Sequence, residues 1–143
     1  MSAPVVLVID GNSLVHRSFH ALAQSSQPDW AVRGLLTQLV AAVDRVRPTA
    51  VVVGFDDADR SLRRERWPSY KANRTEKLPS LVDQLAGAIG VMRELGLAVA
   101  VPDGLEADDV SASAATLARH AGGRSVIVTS DRDAFALIDE HTS

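Results

Sequence analysis

Apolar positions cluster in four short valine-rich runs, at 5–9, 50–53, 97–101 and 125–129. None of them alternates with a polar partner, so each reads as a strand covered on both faces, the pattern of a parallel sheet. Between the runs the spacing turns helical. Residues 30–46 carry Leu35, Leu36, Leu39, Val40 and Val43 on one side, and 81–95 carry Leu85, Ile89, Met92 and Leu95. Pro48 and Gly96 follow as stops, and Ser80 reads as a cap before the second helix. A third helix is expected over 107–120, with Val110, Ala114 and Leu117 inward and Gly122-Gly123 at its end. Strand and helix alternate, so the expected class is α/β, a mainly parallel central sheet flanked by helices. Only 57–79 fits neither period, and so long a connection in a compact domain is usually functional or mobile.

Composition narrows the chemistry. With 143 residues, 46% hydrophobic and 23% charged, the chain suits one domain with a single core. It contains no cysteine, so disulfides, thiolate zinc sites and cysteine nucleophiles are excluded. The longest apolar runs are about five residues, against the ~20 a membrane helix needs. Residues 1–6 lack the regions of a signal peptide. The expectation is a soluble cytoplasmic protein with no membrane partner.

The net charge of −3 conceals an uneven distribution. Arg60, Arg63, Arg64, Arg66, Lys71, Arg74 and Lys77 form a basic segment interrupted only by Glu65 and Glu76. Acids gather at the strand ends, where ligands of parallel α/β sheets bind. The first strand runs into Asp10, the second into Asp56, the third into a loop delivering Glu106, Asp108 and Asp109, and the fourth into Asp131 and Asp133.

Any one of these acids taken singly reads first as a helix cap. Four acidic strand ends are harder to explain so, because two carboxylates about 4 Å apart repel by about 4 kcal/mol at an effective dielectric near 20. Glu106 and Asp109 lie three apart on one helical face, so their repulsion is hard to avoid. Neutralising Asp109 is therefore expected to relieve strain in the absence of metal. Oxygen ligands without cysteine, and with no histidine within any of these motifs, select magnesium or manganese. Two such ions would balance the seven acids better than one and would suit in-line hydrolysis of a phosphodiester, one of them activating water. An acidic site also needs a cationic element to hold a polyanion. The basic segment supplies it, with Lys71 and Arg74 as a phosphate clamp if their stretch is helical. Trp67 and Tyr70 offer faces for a frayed base, or else cover the core.

Several motifs together resemble a known family: Asp10-Gly11-Asn12-Ser13-Leu14 with Arg17, then Phe55-Asp56, then Arg63 with Pro68-Ser69-Tyr70-Lys71-Ala72-Asn73-Arg74, then Glu106-Ala107-Asp108-Asp109, and Thr129-Ser130-Asp131-Arg132-Asp133. In order and spacing they are similar to the 5′-nucleases, the family of 5′-3′ exonuclease domains and flap endonucleases. The resemblance implies a PIN-like α/β domain that hydrolyses DNA at 5′ ends, flaps and junctions with two magnesium or manganese ions. It implies Asp10, Asp56, Glu106, Asp108, Asp109, Asp131 and Asp133 as metal-binding acids, with Lys71, Arg74, Asp10 and Asp109 at the centre of catalysis. Arg17, Arg63, Tyr70, Lys71 and Arg74 would contact DNA, and a polymerase partner fits the same picture.

Family members continue into a further acidic motif and a helix-three-turn-helix. The segment 139–143 carries no helix stop or closing strand. The expectation is an N-terminal catalytic domain over 1–143 that lacks the C-terminal part, a fragment with turnover open to impairment. Trp30 stands where a small or polar residue is expected and is read as capping the core. Two alternatives stay open: a single-stranded RNA nuclease of the wider PIN group, and a DNA-binding fragment without turnover. A phosphatase with an aspartate nucleophile fits less well, because Asp10 is followed by Gly11-Asn12 and not by a second aspartate two positions on.

Overall fold

Buried segments must pair their backbone polar groups, and a sheet does so for all four apolar runs at once. In the computed structural model, which describes residues 2–24 and 27–143, the runs form β1 (Val5–Asp10), β2 (Ala50–Gly54), β3 (Ala98–Ala100) and β4 (Arg124–Val128). Every pairing is parallel and the order is β3-β2-β1-β4, with Val8 opposite both Val52 and Ile127. The central strand β1 thus has β2 on one side and β4 on the other. Successive strands are added to one side of it up to β3 and then to the other with β4, and this switch in strand order opens a crevice at its carboxyl end.

Helices cover both faces. They are α1 (Gly11–Ala21), α2 (Trp30–Val46), α3 (Leu62–Arg66), α4 (Pro79–Glu94) and α5 (Ala107–His120), followed by a 3-10 turn over Arg132–Leu137. Leu7, Ile9 and Val53 form one core with Leu14, Leu35 and Met92 from α1, α2 and α4. Helix α5 lies along β1, β2 and β4 on the other face. It comes so close to β2 that a Cβ on Gly54 would stand 2.9 Å from the Val110 side chain, which is why that strand ends in glycine.

Helices α2 and α5 span the expected residues, but their inward faces are rotated from the sequence reading. In α2 the buried side is Ala31, Val32, Leu35 and Leu39, while Val40 is 66% exposed. In α5 it is Val110, Ser111, Ala115 and Ala118, while Leu117 is 68% exposed. Small residues face the sheet there because the helix packs so near it. Helix α4 starts earlier than expected, with Pro79 in its first turn and Leu78 before it, so Ser80 is not the cap. Pro79 suits that place because a first-turn N–H has no partner to lose.

Helix α1 is not visible in the periodicity, since its larger apolar residues are only Leu14, Val15 and Phe19, and it buries polar Asn12 and Ser18 beside them. Trp30 does cap the core: its indole N–H donates to the Phe19 carbonyl at 2.9 Å and its ring lies 5.1 Å from that of Phe19. The chain end also differs from expectation. Ser125 and Ile127 of β4 donate to the carbonyls of His141 and Ser143 at 2.8 and 2.7 Å, so 141–143 run along the outer edge of β4. An open sheet edge offers unpaired N–H and C=O groups that attract such a segment. Among the described residues, no helix is long and apolar enough to cross a membrane.

Candidate active site

The crevice at the end of β1 is a cavity of about 530 Å³. Asp10 reaches it as the last residue of β1 and the cap of α1, its Oδ1 accepting the Ser13 N–H at 3.0 Å. Its Oδ2 takes the Thr129 hydroxyl at 2.7 Å, which ties β1 to β4. Asp56 follows β2 and accepts the Ala107 N–H at 2.8 Å, capping the start of α5. Asn12 holds it from the other side, donating to its Oδ2 at 3.0 Å and accepting its N–H at 3.1 Å. Asp131 leads the 3-10 turn and accepts the Asp133 N–H at 2.9 Å. Capping and crowding are therefore not rival explanations. Parallel strands feed helices at one edge, so acids that cap those helices are brought together there.

Of the seven acids singled out, Asp10, Asp56, Glu106, Asp108 and Asp131 line the cavity, and Asp109 and Asp133 do not. Asp109 accepts both ends of the Arg63 guanidinium at 2.7 and 2.8 Å and the Glu106 N–H at 2.9 Å. Those donors hold its carboxyl below the ordinary range, the Arg63 bonds most of all. The expected repulsion between Glu106 and Asp109 is thus relieved by an arginine, since Arg63 also stands 3.7 Å from Glu106. Asp133 is exposed.

Glu106 is held as closely. Lys71 Nζ donates to its Oε2 at 2.9 Å and the Tyr70 hydroxyl donates at 3.3 Å. Burial works against the charge on Lys71, but its bonds to Glu106 and Tyr70 raise its pKa nonetheless. Lys71 sits in the left-handed region at φ +55 within a run of turns, so the clamp is not helical as the sequence suggested. Lys71 and Arg74 still share the cavity wall, joined by Lys77 and Arg17. Of the two aromatic residues, Tyr70 turns to Glu106 while Trp67 stays 57% exposed with Arg66 lying 5.1 Å from its ring.

Asp108 differs from the other acids. Among the described residues its side chain has no hydrogen-bond or ion-pair partner, and burial together with the charges of Asp10, Asp131, Glu106 and Asp56 pushes its pKa up to about 6. Burial likewise raises Asp56, with Glu106 adding to the effect against the Ala107 N–H. The cluster therefore carries uncompensated negative charge on hard oxygen donors, and in that respect it fits a divalent cation. Its ligand sphere is not closed, however: among the described residues, no three His, Asp or Glu side chains form a group that could hold one ion. Lys71 and Arg63 provide part of the compensation that the sequence reading assigned wholly to metal.

Two histidines that lie outside the acidic motifs, and so had no part in the sequence reading, also line the cavity. His16 and His20 lie one turn apart on α1, on the face that also carries Asn12. Burial, Lys77, His20 and Arg74 together keep the His16 pKa below its ordinary value against the pull of Asp10. The four-residue spacing of Asn12, His16 and His20 was the available signal, but it has meaning only once α1 is known to be a helix. Ser13 and Thr129 belong to the first and last motifs, and the fold gives both a role. Ser13 Oγ accepts the Ser130 N–H at 3.0 Å and stands 3.1 Å from Thr129 Oγ1, fixing the β4 end against α1.

Residues 5–143 match the family described as 5′-3′ exonuclease, N-terminal resolvase-like domain. DNA polymerase I of Mycobacterium tuberculosis is 36% identical over 147 residues, covering 96% of this chain and 16% of the polymerase. DNA polymerase I of Pseudomonas aeruginosa is 36% identical over 143 residues, covering 97% and 16%. The chain thus spans 16% of the length of these curated relatives. Among solved structures, a T5 5′-exonuclease with bound zinc superposes with a TM-score of 0.73 at 21% identity, over 96% of this chain and 53% of that one. A bacteriophage T5 flap endonuclease in complex with DNA and metal ions gives 0.70 at 21% identity, over 97% and 53%. These superpositions bear out the α/β fold with its parallel sheet.

Proposed function

The chain belongs to the family of 5′-3′ exonuclease N-terminal, resolvase-like domains, and from that premise we propose that it hydrolyses DNA phosphodiesters at 5′ ends, flaps and junctions with divalent metal. The observation that carries the reading is the cavity at the carboxyl ends of β1, β2 and β4. There Asp10, Asp56, Glu106, Asp108 and Asp131 line the same cavity as Lys71, Arg74, Lys77 and Arg17. Acids alone would repel a phosphodiester and bases alone would only bind it, whereas the two sets together can hold a scissile phosphate beside metal ligands.

In this reading the cofactor is magnesium or manganese, two ions, which Asp10, Asp56, Glu106, Asp108 and Asp131 would hold with water completing the ligand spheres that these side chains leave open, and to which Asp109 and Asp133 would contribute charge from outside the cavity. Bound there, such ions supply Lewis acidity toward a phosphoryl oxygen and lower the pKa of water. The chain's own residues do the rest. Lys71, kept cationic by Glu106 and Tyr70, presents its remaining N–H donors to a phosphate oxygen and stabilises charge that develops in the transition state. Arg74 adds a planar donor fork beside it. Thr129 and Ser13 fix both oxygens of Asp10, so this carboxylate does not have to be ordered when substrate arrives. Arg17 and Lys77 extend the contact along the backbone of the strand.

The DNA polymerase I relatives make a polymerase, joined to this domain or recruited by it, a fitting partner, and a cytoplasmic location belongs to the same proposal. We read 1–143 as the catalytic N-terminal portion of such an enzyme. A second reading, DNA binding with little turnover, is favoured by the ion pairs that close Lys71 and Arg63 onto the acids. The test is cleavage of a 5′-flap DNA, and separately of single-stranded RNA, by this chain in manganese, with chelator as control. Flap cleavage abolished by chelator is expected. Binding without cleavage would establish the second reading, and preferential cutting of the RNA would overturn the DNA assignment.

A further inference from the structure

Asp57 follows the cavity-lining Asp56 yet stays out of the cavity and faces the loop before α5. Its Oδ2 accepts the Gly104 N–H at 2.7 Å, and its Oδ1 accepts those of Asp59 at 2.9 Å and Arg60 at 3.3 Å. The backbone reinforces the junction: Asp57 N–H donates to Leu105 O at 3.0 Å, and Leu62 N–H donates to Gly104 O at 2.8 Å. Arg60 reaches Asp103 at 3.3 Å across the same gap. Gly104 has φ +69, and a Cβ there would stand 2.6 Å from Leu62 Cγ, so the loop is shaped to receive both the carboxylate and the leucine.

The consequence lies two residues on. Gly104 leads directly to Glu106 and then Asp108, while Leu62 opens the helix that carries Arg63. We infer that Asp57 is a positioning residue: it sets the loop bearing Glu106 and Asp108 against the strand end bearing Asp56, and fixes the root of the basic segment in the same frame. It touches none of the groups assigned to substrate or metal. This inference rests on the nuclease reading, and it deepens that reading by naming what holds the two halves of the acidic wall in register.

Chemistry separates the role from general stabilisation. Asp57→Ala removes all three acceptor contacts, whereas Asp57→Asn keeps one carbonyl oxygen, able to serve Gly104 or the Asp59–Arg60 turn but not both. Asp44→Ala, which removes an exposed acid on α2 paired with Arg47, is the control. The measurements are amide hydrogen exchange, single-turnover cleavage of flap DNA, DNA affinity, and the manganese concentration that half-maximally raises the melting temperature. For Asp57→Ala we expect faster exchange over 104–108 with β1 unchanged, a cleavage rate lower by about tenfold, and a higher manganese midpoint, the range seen when supports of a metal site are removed. DNA affinity should change less than the rate, and Asp57→Asn should fall between.

An Asp57→Ala protein with the rate and manganese midpoint of the Asp44→Ala control would overturn the inference. Equal losses of rate and affinity with exchange over 104–108 unaltered would do so too. Wild-type protein that neither cleaves nor gains stability from manganese would overturn the nuclease reading instead. The exchange data then decide alone, and intact protection at Gly104 in Asp57→Ala sinks the positioning claim.

Discussion

Replacing Asp108 by asparagine tests the electrostatics of the cavity without changing side-chain volume. The carboxyl of Asp108 is pushed from 3.8 to about 6 by burial and by the charges of Asp10, Asp131, Glu106 and Asp56. At about 1.4 kcal/mol per unit, a shift of that size corresponds to about 3 kcal/mol of destabilisation once the group is ionised. Water at the open cavity screens part of it, which leaves about 1 to 2 kcal/mol. The sign follows from proton binding: between the two pKa values the folded state holds the proton better than the unfolded chain. The contribution of Asp108 to wild-type stability therefore falls as pH rises from about 4 to about 6 and is level above that window. Asp108→Asn removes the ionised group, so it should be the more stable protein at pH 7.5 and no more stable at pH 4. For a domain of this length the gain corresponds to about 3 to 6 °C in melting temperature. Thermal melts of both proteins with chelator, from pH 4 to 8, measure it. Added manganese should then raise the wild type more than the variant, because the ion binds the folded charge cluster. A variant that melts at or below the wild type at pH 7.5, or whose advantage persists unchanged at pH 4, would refute the reasoning.

The neighbouring acid should respond in the opposite direction. Asp109→Asn breaks the paired bonds to Arg63 and should lower stability by about 1 kcal/mol at neutral pH, with the deficit shrinking as acid protonates the wild-type carboxylate; an unchanged or higher melting temperature with chelator at pH 7.5 would count against the Arg63 pairing. Lys71→Ala should slow single-turnover cleavage by about 10²-fold, the scale of losing one transition-state donor, while weakening DNA binding much less; equal losses would make Lys71 a tether. Thr129→Val strips Asp10 of its hydroxyl donor and should cost about 1 to 3 kcal/mol, read by denaturant unfolding; a neutral effect would show that water replaces the hydroxyl freely.

Much of the architecture was legible along the chain. Valine-rich runs covered on both faces permit little besides a parallel sheet, and a parallel sheet directs its loops to one edge. The gathering of Asp10, Asp56, Glu106, Asp108 and Asp131 follows from connectivity, and so does their meeting with Lys71 and Arg74, whose loop leaves β2 at that same edge. Packing orientation was less accessible. Val40 and Leu117 satisfied the helical period and still face solvent, because the closeness of helix to sheet decides which stripe turns inward, and small residues such as Ala115 and Ala118 allow the closer approach.

Sequence by itself therefore determined the strands, most of the helices and the edge at which acid and base meet, since those depend on local pattern and chain order. Only the tertiary structure decided which acids face the cavity and which are neutralised. Asp108 and Asp109 are adjacent in sequence but about 100° apart around α5; the first is left among like charges and the second is clasped by Arg63. The same is true of His16 and His20, which enter the cavity because α1 forms, and of Asp57, which bonds Gly104 forty-seven residues away. Charge compensation depends on distances between segments far apart in sequence, and those distances exist only after the chain has folded.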